Sequence, residues 1–105
     1  MVTLPNDVRE NVAEFIRQLN ANNIPILQAY VFGSYAQGRQ TEWSDIDLAL
    51  VSDQFEGDFF NDRSKIIPFV IKMNKYIEAH PFAPTDFTTE DPFVEEIIET
   101  GIKIA

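Results

Sequence analysis

Cysteine is absent, histidine occurs once (His80), and positive charge is scarce: eight Lys and Arg stand against seventeen Asp and Glu in 105 residues, a formal charge of −9. Without cysteine there is neither a disulfide framework nor a thiolate zinc site. A single histidine excludes a multi-histidine metal centre, so any metal must be held by oxygen, which favours Mg²⁺, Mn²⁺ or Ca²⁺. The acidic balance repels phosphate backbones and argues against direct binding of nucleic acid. Long apolar runs are missing too. The longest, Ile66 to Ile71, is interrupted by Pro68 and is far too short to span a bilayer. The stretch from Met1 to Asp7 lacks the basic and apolar regions of a signal peptide. These absences predict a cytoplasmic chain with no membrane partner.

What the sequence does contain is enough to build a core. Apolar residues make up 45% of it, nine of them Phe, which excludes a disordered chain. The length fits one domain spanning 1–105. Val8, Val12, Phe15, Ile16 and Leu19 recur at helical spacing and predict a helix from Pro5 to Asn20. Ile26–Phe32 reads as a strand that ends at Gly33-Ser34, with a short helix expected over Tyr35–Arg39. A second strand is expected over Ile46–Val51, followed by an acidic, mobile loop from Ser52 to Phe60. Ile66, Phe69, Val70, Met73 and Ile77 predict a helix over Asp62–Ala79, with Pro68 as a kink or a late start. Phe82–Thr89 reads as an edge strand because of Pro84. Asp91-Pro92 supplies an N-cap and a first helical proline for a helix to Thr100, with Gly101 as its C-cap and a last short strand at Ile102–Ile104.

Three features carry chemistry. The Gly33-Ser34 turn lets backbone approach a ligand closely and presents free N–H groups, which suits a phosphate. Asp45 and Asp47, two apart in a strand, share one face while Ile46, Leu48 and Leu50 face the core. Two such carboxylates either stay solvated at the strand end or hold a cation between them. Asp86 is an acid in a strand-like, threonine-rich stretch and either lies exposed on an edge or joins the first two. Among the remaining residues, Trp43 either stacks on a base or packs. Arg63, Lys65 and Lys72 either reach a phosphate or solvate a helix face. His80, next to Pro81 at a helix end, reads as structural.

Gly33-Ser34, ten further residues, then Asp45-Ile46-Asp47, with Ser44 before and Leu48 after, resembles the signature of the nucleotidyltransferase superfamily that includes DNA polymerase beta. The short chain is most similar to the minimal nucleotidyltransferases, the antitoxin-side partners of HEPN-domain proteins. The resemblance implies an α/β (α+β) fold, with a small mixed sheet of three to four strands flanked by helices. It implies that Gly33 and Ser34 hold the β and γ phosphates of a nucleoside triphosphate; Tyr35, by its place in that turn, either lines the pocket mouth or does not. Asp45, Asp47 and Asp86 would be the catalytic carboxylates and hold two Mg²⁺ ions, Mn²⁺ serving as well. One departure is Gln37, where family members often carry arginine; Arg39 follows two residues later.

The activity so implied is transfer of a nucleoside monophosphate, AMP from ATP, to a hydroxyl. With no second domain expected to present an acceptor, the resemblance points to a tyrosine of a HEPN-type toxin in a homo- or hetero-oligomer. The alternative is a catalytically silent module that neutralises a basic partner by contact. Triphosphate and three aspartates cannot share a pocket unless divalent cations lie between them.

Overall fold

A computed structural model describes residues 3–105. The elements are α1 (Asn6–Ala21), β1 (Gln28–Phe32), β2 (Ile46–Val51), α2 (Phe59–Val70), β3 (Ile77–Phe82), α3 (Pro92–Thr100) and β4 (Ile102–Lys103). The sheet order is β3-β2-β1-β4, with β1 antiparallel to β2 and β4, and β2 parallel to β3. This is the expected mixed α/β architecture.

The register sorts the side chains into two faces. On one, Val31, Leu48 and Ala79 align across the sheet beside Ile46 and Ile77, and α1 and α2 cover them. The α1 stripe of Val8, Val12, Phe15 and Leu19 is fully buried there, each such side chain contributing roughly 1.5–3 kcal/mol. α1 stops where Asn23 turns left-handed at φ 66°, a conformation Asn tolerates. The N–H groups of Asn22 and Ile24 both donate to the Leu19 carbonyl.

The other face consists of three rows across β1, β2 and β3: Phe32–Asp47–Glu78, Tyr30–Ala49–His80 and Gln28–Val51–Phe82. α3 covers its apolar part with Val94 and Ile97. Asp91 caps α3 as expected, its side chain accepting from Phe93 N at 2.9 Å, and the Gly101 N–H closes the helix on the Ile97 carbonyl. The polar first row is left at the end of the face, where β1 runs into Gly33.

Three expected elements differ. The helix over Asp62–Ala79 is shorter and earlier. α2 starts after Asp58, whose side chain accepts from Asn61 N, and stops at Val70, two residues past Pro68. Residues 77–79 instead open β3, where Ile77, Ala79 and Pro81 are buried in alternation. Ile77 satisfies the helical spacing from Ile66 and the strand alternation equally, and only the second is realised. The expected strand Phe82–Thr89 is a pair of turns beyond β3, closed by Asp86 N to Ala83 O and Asp91 N to Thr88 O. The edge strand does carry a proline, Pro81 of β3. Residues 33–38 form successive turns rather than a short helix.

The acidic loop 52–58 is tied down. The Asp62 carboxylate, 1% exposed, accepts from Glu56 N at 2.8 Å and Gly57 N at 2.9 Å, and Lys65 Nζ lies 3.5 Å away.

Candidate active site

The site starts at the end of β1. Gly33 sits at φ 72°, in the left-handed region, and a Cβ built there would overlap the Asp47 carboxylate. Both backbone sign and space therefore require glycine, and the Gly-Ser turn lies directly against the first carboxylate of β2. The turn closes through Gln37 N to Gly33 O at 3.2 Å and Arg39 N to Ser34 O at 2.9 Å. The N–H groups of Ser34, Tyr35 and Ala36 donate to no backbone carbonyl among the described residues. Unpaired N–H groups in succession form an anion-binding concavity.

The Tyr35 side chain does not line a pocket mouth. It is 4% exposed and packs in the main core with Ile46 and Leu48, so only its backbone remains available to a ligand.

Asp47 is half-buried, and its carboxyl pKa is raised above the usual 3.8. Burial is the main cause, and the Glu78 and Asp45 charges add to it, while His80 opposes. Asp45 is exposed, on the same side two residues earlier. Glu78 follows from the parallel register, directly opposite Asp47. The structure thus brings Asp45, Asp47 and Glu78 to one end of one face.

Asp86 is not part of this group. It is exposed in the turns after β3, its Oδ2 lies 2.9 Å from a Cβ built on Gly57, and it lines a separate groove with Phe59, Phe82 and Thr85. The place expected for Asp86 is taken by Glu78, and the reason is the misplaced strand. With β3 at Ile77–Phe82, its outward positions are Glu78, His80 and Phe82. A period-two reading of Ile77, Ala79 and Pro81 would have found both polar residues.

His80 is also closer to the chemistry than its position beside Pro81 suggested. Its Nε2 lies 3.7 Å from Asp47 Oδ1, beyond hydrogen-bond range, and has no hydrogen-bond partner. Burial among Phe32 and Phe93 lowers its pKa from 6.5, against the pull of Asp47 and Glu78, so the ring is neutral at pH 7. Arg63 of α2 supplies the nearby positive charge, with Nη2 3.2 Å from Glu78 Oε1.

A glycine-serine turn thus lies against one carboxylate of the Asp45-Ile46-Asp47 segment, with a third acid on the neighbouring parallel strand. The nucleotidyltransferase domain model matches residues 9–104. This chain belongs to the nucleotidyltransferase domain family. Nucleotidyltransferases move a nucleoside monophosphate from a nucleoside triphosphate, and that general activity comes with the family. A crystal structure from Sulfolobus solfataricus, assigned as a nucleotidyltransferase, shares the fold. Its TM-score is 0.61 at 17% identity, over 81% of this chain and 80% of that one. No curated protein matches the sequence. Among the described residues, no helix of this nucleotidyltransferase is long and apolar enough to cross a membrane.

Proposed function

We propose that this domain transfers AMP from ATP to a hydroxyl on a partner protein, a tyrosine of a HEPN-type toxin, in an antitoxin role. The observation that carries the reading is the contact of Gly33 with the Asp47 carboxylate, with Asp45 and Glu78 on the same face. The donors Asp45, Asp47 and Glu78 are all hard oxygens, and that chemistry fits Mg²⁺ or Mn²⁺; burial raises the Asp47 pKa, and the Glu78 and Asp45 charges add to it. Among the described residues no three such groups enclose one point, and Glu78 is engaged by Arg63.

When bound, the ions neutralise the acids and the triphosphate and lower the pKa of the acceptor hydroxyl. The chain's own part is positioning. The Ser34 and Tyr35 amides donate to the β and γ phosphates and stabilise the departing pyrophosphate. Asp45 and Asp47 would hold the divalent charge that lets the α-phosphate approach them, and Glu78 on the neighbouring strand would take the acceptor hydroxyl proton. The P–O bond to the β-phosphate breaks as the acceptor oxygen bonds the α-phosphorus.

ATP labelled at the α-phosphate, Mg²⁺ and the HEPN-type partner test this together. Label is expected on the partner, lost with Asp45→Asn plus Asp47→Asn and with Glu78→Gln, and retained with Asp86→Asn. Absence of transfer, or transfer indifferent to the aspartate pair, removes the enzyme reading. The Arg63-engaged Glu78 and the Gln37 at the turn favour a second reading, neutralisation by contact with a silent site. Inhibition of the partner that survives loss of all three acids supports it.

A further inference from the structure

Arg63 is held where an arginine on a surface helix has little reason to stay. Its Nη2 is 3.2 Å from Glu78 Oε1 and 3.0 Å from the Tyr76 hydroxyl, while its Nε is buried with no hydrogen-bond partner. A long basic side chain that only solvates a helix keeps its head in water and leaves no donor unpaired. The pull on Arg63 comes from negative charge. Glu78 stands opposite Asp47 in register, Asp45 lies on the same side, and Arg63 is the one permanent cation within ion-pair range of these three acids among the described residues.

We propose that Arg63 is the counter-cation of the metal-free site, balancing Glu78 until a divalent ion takes over that charge, so that Arg63 sets how tightly the site binds metal. The proposal rests on Glu78 being a metal-side carboxylate, as argued above. Arg63 acts through Glu78 and is a positioning residue. Tyr76, one residue before β3, anchors the guanidinium on the Glu78 side. An ion approaching Asp47 and Glu78 meets the repulsion of Arg63 and must compete with it for the Glu78 oxygens.

Calorimetry with Mn²⁺ alone, on the full chain at fixed ionic strength, tests the idea. Arg63→Gln is expected to bind Mn²⁺ roughly three- to tenfold more tightly than the native protein, the scale of one partly exposed unit charge near a site. Arg63→Lys keeps the charge and should stay close to native, and it serves if Arg63→Gln does not fold. Tyr76→Phe frees the guanidinium and should fall between. In the native protein, Mg²⁺ should also displace the NMR resonance of the Arg63 Nε–H, which a merely structural arginine would not show. Equal or weaker Mn²⁺ binding by Arg63→Gln, with binding still abolished by Asp47→Asn, overturns this proposal and leaves the metal site standing. No Mn²⁺ binding by native protein or variant overturns both.

Discussion

Gly33 answers to two demands at once, and they are separable. A left-handed φ costs an L-residue roughly 1–2 kcal/mol. Overlap of a Cβ with the Asp47 carboxylate adds a second cost, because Asp47 is fixed in β2 and must turn its side chain away. Gly38, at φ 70° in the same run of turns, shares the first demand without that crowding. Gly33→Ala is therefore expected to destabilise the fold by about 2–4 kcal/mol, and Gly38→Ala by about 1 kcal/mol. The urea midpoints of the two variants check this, and equal losses would mean that Asp47 yields freely. Nucleotide transfer should drop in Gly33→Ala beyond what the stability loss explains, since the carboxylate that moves is Asp47, which lies against the glycine-serine turn.

Among the elements, the loop between β2 and α2 depends on one buried carboxylate. Asp62 accepts two backbone N–H groups from the loop and lies beside Lys65. Asp62→Asn replaces one oxygen by a donor that faces a donor, and it leaves an amide unpaired, at a cost of roughly 1–3 kcal/mol. Hydrogen exchange at Glu56 and Gly57 should quicken in that variant while the β2 amides keep their protection. Unchanged exchange would show the loop held by other contacts. Nothing in the acidic stretch announces this tie, because a buried aspartate in the first turn of a helix has the same sequence appearance as an exposed one.

The boundary between α2 and β3 was hidden for a related reason. α1, β1, β2 and α3 are legible because their apolar spacing fits one period and their ends carry stop signals: Asn22-Asn23, Gly33, Asp91-Pro92. Between Ile66 and Ile77 both periods fit, and the decision falls to Pro68 and to pairing with β2, which is not a local property. Glu78 was hidden with it, and His80 looked like the end of a helix rather than an outward position of β3. The Gly-Ser turn and the two aspartates at the start of β2, Asp45 just before it and Asp47 within it, lie within a short, local pattern and could be read. The third acid asks for more: the alternation of Ile77, Ala79 and Pro81 turns Glu78 outward, but its place opposite Asp47 is set by the parallel register of β2 and β3.

At the scale of the whole molecule, the polar end of the sheet works against the fold that carries it. Seventeen acids stand against eight bases, and three of those acids share the exposed end of one sheet face. Asp47 reports the conflict. Its folded pKa lies above its ordinary value of 3.8, so its favourable contribution is complete below that pH and is lost as pH rises through the folded pKa. At pH 7 the ionised side chain is thus a net cost, one that Asn in the same shape does not carry. Asp47→Asn is expected to raise the metal-free melting temperature at pH 7, by roughly 4–8 °C if the relief is about 1 kcal/mol. The gain should shrink as pH falls through the raised folded pKa of Asp47, where the native carboxyl takes up its proton. Millimolar Mg²⁺ should raise the melting temperature of the native protein by more than NaCl of equal ionic strength does, because an ion that binds only the folded state stabilises it by mass action. In Asp47→Asn the two salts should act alike. A variant no more stable than the native protein at pH 7, or one that keeps a Mg²⁺-specific rise, would show that the charge at Asp47 is neither the cost nor the metal's point of attachment.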